Sequence, residues 1–391
     1  MNAGIFIDSY LPLVDGVVTV VEAYAKRLSE KCNVTIFAPH IRNVDRSYDD
    51  RFPYKVERSF ALMKKGDDYP QGYPMLDPAY LRKIRNAHLD IIHVHSAYTL
   101  GLCAKHFAKK LSIPMVGTIH SHFRPDVRQH VGRAMTEPVV RLMMSIYNSC
   151  EECWTVNEVV GDMFRRDYGL KAPTRVMPFS TDHHPVEDRE KSRREVNEAL
   201  GLKGDDFVLC HVGRQDLQKN EEFILRSLCE FKTLGRSFKM LFVGDGSRHE
   251  FLRALTSKVG LSDDVIFTGS VNDPEKMMKI YARTDLLLFP SEADTFGLVK
   301  IEAACQSTPT LLLEGTMASD GMTDNVNSFM SKPDEKSFAA RIMQLQDDRE
   351  LLARVGEGAR RDLFRTWDSL VDDVYDRYGE LIDNYRRKHA K

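Results

Sequence analysis

The sequence lacks the features that mark several classes of protein. It carries 55 basic and 57 acidic residues, a formal net charge of −2, whereas a general nucleic-acid binder needs a net basic surface. No stretch approaches the roughly 20 apolar residues of a membrane-spanning helix. The segment from Met1 to Pro12 has neither the basic flank nor the long apolar run of a signal peptide. These absences predict a cytoplasmic protein without a nucleic-acid partner.

Cysteine is present but does not form a recognisable site. The seven cysteines are an odd number and are scattered along the chain. Cys150 and Cys153 have the spacing of a metal-binding pair, but no second pair or histidine tandem follows to complete a tetrahedral site. Free cysteine is usually a small core residue. The pattern therefore predicts buried thiols, a reducing compartment and no bound metal.

Two glycine motifs of nucleotide-binding proteins are incomplete. The loop Leu11–Val18 contains Gly16 but no full Gly-x-Gly-x-x-Gly fingerprint, which argues against a dinucleotide-dependent dehydrogenase. The segment Val243–Ser247 has two glycines after an apolar run, yet the Lys-Ser/Thr of a phosphate-binding P-loop does not follow. Gly16 either lets the backbone approach a ligand or serves a tight turn, and both readings stay open.

The chain does contain a regular alternation of short apolar runs and helical patterns. Such alternation predicts parallel sheets covered by helices on both faces. The predicted helices include Val17–Ser29, Ala97–Leu111 and Glu221–Lys232. The predicted strands are Ala3–Asp8, Val34–Ala38, Ile91–His95, Met115–Ile119, Phe207–Val212, Lys239–Val243, Val265–Thr268, Leu286–Phe289 and Thr310–Leu313.

This alternation occurs twice, and 391 residues exceed what one hydrophobic core usually supports. The segment Met177–Glu190 is rich in Pro, His and Asp and has no period, so we predict a hinge there. The prediction is an α/β protein with two doubly wound Rossmann-like domains, residues 1–178 and 179–366, facing across a cleft. The tail Trp367–Lys391 has apolar residues at helical spacing and is predicted to pack back on the first domain. Ligands of such domains bind at the carboxyl ends of the strands.

The segment Phe289–Glu302 carries the strongest chemical signal. A predicted strand ends at Pro290 and a helix begins near Phe296 or Gly297, where backbone amides and a glycine suit a pyrophosphate. Asp294 and Glu302 flank this turn, and their carboxylates can accept hydrogen bonds from the hydroxyls of a sugar or a ribose. The alternative is that Asp294 is only an N-cap and Glu302 a solvated helix residue.

Cations and histidines follow other predicted strands. Arg214 and Lys219 come after Phe207–Val212, where two cations can neutralise a nucleotide diphosphate, although most such side chains are ordinary surface residues. His120 lies in the segment Gly117–His122, at the end of another predicted strand, and can polarise hydroxyls. His122 raises the alternative of a metal, but no carboxylate or cysteine cluster supports one. His93 and His95 are predicted to be packed or hydrogen-bonded.

Taken in order, these motifs resemble the family 4 retaining glycosyltransferases with the GT-B fold. The resemblance covers essentially the whole chain and includes Gly4–Pro12, Asp15–Val17, Ile91–Ser96, Phe267–Val271 and the Phe-Gly-Leu-Val-x-x-Glu run that ends at Glu302. It is greatest to the branch that glycosylates diacylglycerol. It implies a hexosyltransferase that retains configuration, needs no metal or cofactor, and uses a nucleotide sugar, UDP-glucose, as co-substrate.

The resemblance also assigns roles to residues. His120 would bind the donor sugar and orient the acceptor, Arg214 and Lys219 would hold the phosphates, Asp294 the sugar and Glu302 the ribose. Further donor contacts would come from Gly16, Val271, Phe296, Gly297, Leu298 and Val299. Asp294 stands where the family more often has Glu, which leaves the sugar open. Front-face attack, with the leaving phosphate accepting the proton, is the route that the family implies.

The acceptor depends on the first domain. Arg124, Arg128 and Arg133 alternate with apolar residues after His120, a pattern that suits an anionic membrane surface or, alternatively, a core-packed helix with a basic face. We therefore expect a lipid acceptor and a cytoplasmic protein attached peripherally to the inner face of the cell membrane. A soluble or polysaccharide acceptor, a GT-B nucleotide-sugar epimerase and a sugar-nucleotide sensor are the alternatives.

Overall fold

The structure is a computed structural model that describes residues 1–13, 15–42, 44–63, 70–120 and 122–389. The chain divides into two units. The first comprises Met1–Phe179 together with Trp367–Lys391, and the second comprises Ser180–Thr366. The last two residues of the predicted C-terminal helix lie outside the described residues. Each unit has its own sheet and its own core.

The first unit is built on a parallel sheet. Its strands are β1 (Asn2–Phe6), β2 (Asn33–Pro39), β3 (Lys55–Ser59), β4 (Ala61–Leu62), β5 (Gln71–Gly72), β6 (Ile91–Val94), β7 (Met115–Thr118), β8 (Glu152–Thr155) and β9 (Thr174–Val176). Its helices are α1 (Gly16–Leu28), α2 (Pro78–Asn86), α3 (Thr99–Leu111), α4 (Arg124–Val131), α5 (Arg133–Tyr147) and α6 (Glu158–Tyr168). Within the described ranges the sheet order is β3-β2-β1-β6-β7-β8-β9, with β4 and β5 paired separately as a short antiparallel ribbon.

The second unit repeats the same design. Its strands are β10 (Val208–Val212), β11 (Lys239–Val243), β12 (Val265–Gly269), β13 (Leu286–Phe289), β14 (Thr310–Leu313) and β15 (Phe329–Ser331). Its helices are α7 (Arg189–Leu200), α8 (Glu221–Thr233), α9 (His249–Lys258), α10 (Pro274–Arg283), α11 (Leu298–Cys305), α12 (Glu335–Asp347) and α13 (Arg349–Leu363). The strands run parallel in the order β12-β11-β10-β13-β14-β15.

Alternating side chains of these strands form two apolar layers. Leu209 of β10 lies in one buried cluster with Phe242 and Leu288, whereas its neighbours Val208 and Cys210 lie in another. Side chains alternate across a strand, so a strand that is apolar on both faces must be covered on both. This is why the second unit's strands read as continuous apolar runs.

The C-terminal helix α14 (Trp367–His389) belongs to the first unit. It buries one apolar stripe, made of Trp367, Leu370, Val371, Val374, Tyr378, Leu381 and Ile382. Ion pairs flank the stripe, including Lys31 with Asp372 at 2.8 Å and Lys388 with Glu151 at 2.9 Å. Arg377 bonds the buried carboxylate of Glu152 on β8. The helix therefore closes the core of the first unit.

Several short strands were not predicted. β3, β8, β9 and β15 have three to five residues each, and β8 includes a glutamate that sequence patterns assign to the surface. Glu152 is nevertheless buried, because the Trp154 indole and the guanidinium groups of Arg175 and Arg377 satisfy its carboxylate. None of the helices in the described ranges combines the length and apolar content needed to cross a membrane.

Candidate functional site

An ion pair joins two loops at the carboxyl edge of the second sheet. Lys219 follows β10 and Asp294 follows β13, and the Lys219 ammonium lies 2.8 Å from each carboxylate oxygen of Asp294. The Ser291 hydroxyl donates to the Gln218 carbonyl at 3.0 Å and accepts the Asp294 amide at 3.2 Å. Both charged side chains stay about one-quarter exposed, at 23% and 24%. A cation and a carboxylate are therefore held side by side with access to solvent.

Helix α11 begins beside this pair. Its N-cap is Gly297, with a left-handed φ of 79°. A Cβ on residue 297 would lie 2.5 Å from Cζ of Phe289, so only glycine lets the chain pass over that ring. Leu298 and Val299 form the first turn, where backbone N–H groups have no intrahelical acceptor. The alternative that Asp294 is the N-cap is wrong, because the helix starts at Leu298.

Glu302 lies one turn further along α11 and is held by a tyrosine. The Tyr281 hydroxyl donates to Oε2 of Glu302 at 2.8 Å. The other oxygen, Oε1, is 3.8 Å from Nε2 of His183, and the Glu302 side chain is 22% exposed. Glu302 is thus an oriented carboxylate and not a freely solvated helix residue.

The remaining donor candidates occupy varied environments. The Arg214 side chain is 74% exposed and donates from Nε to Asp216 at 2.9 Å. Val271, after β12, packs against the buried cluster that contains Cys210. Gly16, at the start of α1 in the first unit, would bring a Cβ within 4 Å of no atom. Packing therefore does not explain why residue 16 is a glycine.

Two buried basic groups in the second unit were not predicted. His211 donates from Nδ1 to the Leu288 carbonyl at 2.9 Å, and burial lowers its pKa to about 4. Lys300 is buried on α11, donates to the Ala318 carbonyl and lies 4.8 Å from the centre of the Phe296 ring. Burial lowers the pKa of Lys300 to about 7. The available signal was a lysine that lies among apolar residues on α11, between Val299 and Ile301.

In the first unit, His120 follows β7 and contacts a second histidine. Nε2 of His120 lies 2.9 Å from Nδ1 of His95, and the Phe179 ring stacks on His120 with centres 5.5 Å apart. Burial lowers the pKa of His120 to about 3, so its imidazole is neutral near pH 7. His93 and His95 are buried and hydrogen-bonded, which confirms that prediction.

Asp8 is a further residue that sequence reasoning missed. It follows β1 and accepts hydrogen bonds at 2.9 Å from the Thr99 hydroxyl and the Leu100 amide at the start of α3. Burial raises its pKa to about 6. Among the described residues, no group of three or more His, Cys, Asp or Glu side chains is placed to hold a metal ion. Cys150 and Cys153 are buried thiols.

The three arginines of the first unit differ in their surroundings. Arg124 is committed to internal contacts: it donates to the Asp167 carbonyl at 2.7 Å and lies 3.2 Å from Glu137. Arg128 and Arg133 are exposed. Large apolar side chains are exposed near them, with Val131 at 40%, Met135 at 52% and Leu142 at 49%.

The chain matches two family models. The model described as "Glycosyltransferase Family 4" matches residues 14–184, and the model described as "Glycosyl transferases group 1" matches residues 192–362. The two matches together span most of both units. The chain belongs to the family 4 glycosyltransferases, and the fold is GT-B.

Two curated relatives and one solved structure are similar to the chain over most of its length. The alpha-monoglucosyldiacylglycerol synthase of Streptococcus pneumoniae is 25% identical over 80% of this chain and 70% of its own length. The enzyme of the same name from Acholeplasma laidlawii is 22% identical over 92% of each chain. The crystal structure of HepE from Anabaena, in complex with UDP and glucose, aligns with a TM-score of 0.75 at 17% identity, over 97% of this chain and 99% of that one. The last comparison supports the fold alone.

Proposed function

We propose that this glycosyltransferase moves glucose from UDP-glucose to a membrane lipid such as diacylglycerol, with retention of configuration and without a metal ion. The observation that carries the proposal is the Lys219–Asp294 pair beside the glycine-capped start of α11. Positive charge, helix amides and a carboxylate lie at the carboxyl edge of one sheet. That combination suits a sugar joined to a pyrophosphate.

The second unit supplies the groups for the donor. Lys219 and the amides of Leu298 and Val299 would hold the phosphates, with Arg214 as a second cation. Asp294 would accept hydrogen bonds from sugar hydroxyls, and Oε1 of Glu302 would accept from the ribose because Oε2 already bonds Tyr281. Phe296, Gly297 and Val271 would complete the donor contacts.

The proposed chemistry is the front-face route that the family resemblance implies. The acceptor hydroxyl attacks the anomeric carbon on the face from which the phosphate departs. The bond from that carbon to the phosphate oxygen breaks, and the hydroxyl proton passes to the departing phosphate. Lys219, Arg214 and the start of α11 stabilise the charge on the leaving group, a task that Mg²⁺ performs in other transferases. His120 would bind the sugar and orient the acceptor.

The lipid acceptor is supported by the surface of α4 and α5. Arg128 and Arg133 are exposed together with Met135 and Leu142, so basic and apolar groups occupy one helical region. Arginine is attracted to anionic lipid headgroups, and the apolar side chains can enter the region between the headgroups and the acyl chains. The names of the two synthases point to the same acceptor.

The test is a product screen by mass spectrometry. UDP-glucose, UDP-galactose, GDP-mannose and ADP-glucose are each offered with diacylglycerol in anionic vesicles and, separately, with soluble sugars. A glucosylated lipid formed from UDP-glucose is the expected product. Transfer only to soluble sugars would refute the lipid acceptor, and an altered nucleotide sugar without transfer would favour an epimerase.

A charge reversal tests the membrane surface separately. The double variant Arg128→Glu/Arg133→Glu should weaken binding to anionic vesicles by at least about tenfold, since each basic residue near such a surface contributes about 1 kcal/mol. The matched control is Arg82→Glu/Arg85→Glu, which reverses two exposed arginines on α2. Equal losses in both variants would show that only net charge matters.

A further inference from the structure

His211 lies at the point where the strand order of the second sheet reverses. The chain runs from β10 to β11 and β12 on one side, and then returns to β13, β14 and β15 on the other. Ligands of open α/β sheets bind in the crevice outside the carboxyl ends of the strands at such a point, which here are β10 and β13. In these strands Leu209 pairs with Leu286 and Cys210 with Leu287. His211 follows and is buried, at 1% exposure, so its ring lies at the base of that crevice.

A backbone carbonyl fixes the tautomer of His211. Nδ1 lies 2.9 Å from the carbonyl oxygen of Leu288. A carbonyl oxygen can only accept, so Nδ1 must carry a proton. Burial lowers the pKa of His211 to about 4, so the ring is neutral near pH 7 and has a single N–H. Nε2 is therefore an acceptor nitrogen with one lone pair for one hydrogen bond.

This Nε2 acceptor is buried close to Lys219 and Asp294. Within the described ranges no donor bonds it, and an unpaired buried acceptor is unfavourable. A Cβ on Gly213 would lie 3.7 Å from Nε2 of His211 and also 3.7 Å from Cδ and Cε of Lys219. After burial and the Leu288 hydrogen bond, the charges that act on the pKa of His211 are those of Lys219 and Asp294. Nε2 and the end of the Lys219 side chain thus border the same space, which the glycine leaves open.

A bound donor would separate the Lys219 ammonium from its present partner. The ammonium lies 2.8 Å from each carboxylate oxygen of Asp294. Under the proposed function, Asp294 turns to the sugar and the ammonium turns to a phosphate. An ammonium has three N–H donors, so it can bond a phosphate and a second acceptor together. A second carboxylate would cancel part of the charge that the phosphate requires, whereas a neutral imidazole nitrogen would not.

We propose that His211 is a positioning residue for Lys219. In the donor complex, Nε2 of His211 accepts one N–H of the ammonium, and the remaining N–H groups contact the phosphate. The hydrogen bond to Leu288 fixes the orientation of the ring, and burial keeps the ring uncharged. This role rests on the proposed function, because a donor phosphate is what draws the ammonium away from Asp294.

The first experiment follows His211 by NMR in the unsubstituted, full-length chain. The histidines are labelled with ¹⁵N, and the signals of His211 are assigned as those that are missing from His211→Asn. Without UDP we expect a neutral ring with its proton on Nδ1. When UDP is added to saturation, the Nε2 signal should move to lower frequency, which is the direction for an acceptor nitrogen that gains a hydrogen bond.

Lys219→Ala, also measured at saturating UDP, is the comparison. It removes the ammonium and should abolish the UDP-dependent shift of Nε2. An Nε2 signal that UDP leaves unchanged in the unsubstituted chain, or that shifts equally in Lys219→Ala, would overturn the role of His211. A failure of UDP to bind the unsubstituted chain would instead refute the proposed nucleotide donor, and this role would fall with it.

Two substitutions separate the acceptor of the ring from its donor. His211→Asn has an amide nitrogen near the place of Nδ1, so it can keep the hydrogen bond to Leu288 but lacks the Nε2 acceptor. His211→Gln reaches the place of Nε2 with an amide oxygen but loses the bond to Leu288. His211→Asn should weaken UDP binding about tenfold, the scale of one hydrogen bond to a charged group, and His211→Gln by less than about threefold. The opposite order would show that the Leu288 bond, and not Nε2, supports donor binding.

A double-mutant cycle tests whether the effect acts through Lys219. UDP dissociation constants are measured by calorimetry for the unsubstituted chain, His211→Asn, Lys219→Ala and the double variant. The loss of affinity caused by His211→Asn should disappear when residue 219 is already alanine. An equal loss in both backgrounds would show that His211 affects the fold of the site and not the ammonium, and the proposal would then be wrong.

Discussion

A bound donor would have to replace the contact between Lys219 and Asp294. In the structure the ammonium contacts both oxygens of Asp294. In the proposed complex Lys219 would have to reach a phosphate while Asp294 turns to sugar hydroxyls. Because both side chains are about one-quarter exposed, this exchange requires no opening of the core. Under the proposed function, the ion pair is the resting state of the site, in which each charge neutralises the other until a donor replaces it.

Removing either of two charges that we assign to donor binding should reduce turnover. Lys219→Ala and Glu302→Ala should each lower kcat by about 10²-fold, the scale for losing one key electrostatic contact. Steady-state transfer rates with the donor found in the product screen provide the measurement. Lys258→Ala and Glu250→Ala are the controls, since both residues are exposed on α9 of the same unit. Near-normal turnover in both site variants would contradict the assignment.

Lys300 should make stability depend on pH. Its pKa is lowered by burial to about 7, against an ordinary value of 10.5. Between these values the unfolded chain binds more protons than the folded protein, so stability rises as pH rises, by at most about 1.4 kcal/mol per pH unit. Lys300→Met should remove that rise.

The measurement is the thermal unfolding midpoint of each protein from about pH 7 to about pH 9, and the slopes of midpoint against pH are compared. Lys258→Met is the control, because it removes an exposed lysine and should keep the slope of the unsubstituted protein. A Lys300→Met variant with that same slope would show that the Lys300 ammonium is already charged in the folded state.

At the scale of the element, the start of α11 depends on one glycine. Gly297→Ala should raise KM for the donor and lower stability by about 2–4 kcal/mol, since it combines left-handed backbone strain with a contact too close to the Phe289 ring. Gly260→Ala is the control, because Gly260 has a similar φ of 73° but no atom within 4 Å of its added Cβ.

Thermal unfolding and donor KM are measured for both glycine variants. The Gly260→Ala control measures the cost of backbone strain alone. Any additional loss of stability in Gly297→Ala therefore measures the clash with Phe289. Equal destabilisation in the two variants would mean that the ring moves away without cost. An unchanged KM in Gly297→Ala would separate this turn from donor binding.

Elements were predictable where one face or both faces are uniformly apolar. β13 and β14 have the predicted bounds, Leu286–Phe289 and Thr310–Leu313, because both are buried along their whole length. β8 was missed because its glutamate is buried through partners that are distant in sequence. Likewise, the histidines at 93 and 95 are visible as a pair, but nothing local indicates that Tyr378 bonds one of them. Sequence periodicity does not reveal these features, because they depend on contacts between residues that are far apart in the sequence.

At the scale of the whole molecule, the two units contain different chemical groups. The second holds cations, carboxylates and a helix start, which suit a charged nucleotide sugar. The first holds neutral buried histidines and an exposed basic and apolar surface on α4 and α5. A nucleotide without its sugar should therefore stabilise the protein through the second unit, and the phosphate charge should be met by Lys219, Arg214 and backbone amides.

Binding of UDP should consequently raise the thermal unfolding midpoint to the same extent in EDTA as in Mg²⁺. A ligand present at about 100 times its Kd stabilises the folded state by about 2.7 kcal/mol. Lys219→Ala should lose most of this shift, whereas Lys258→Ala should keep it, because only the first variant removes a proposed phosphate contact. A shift that requires Mg²⁺ in the unsubstituted protein would show that side-chain and amide charge do not suffice for the pyrophosphate, and the metal-free mechanism would then have to be abandoned.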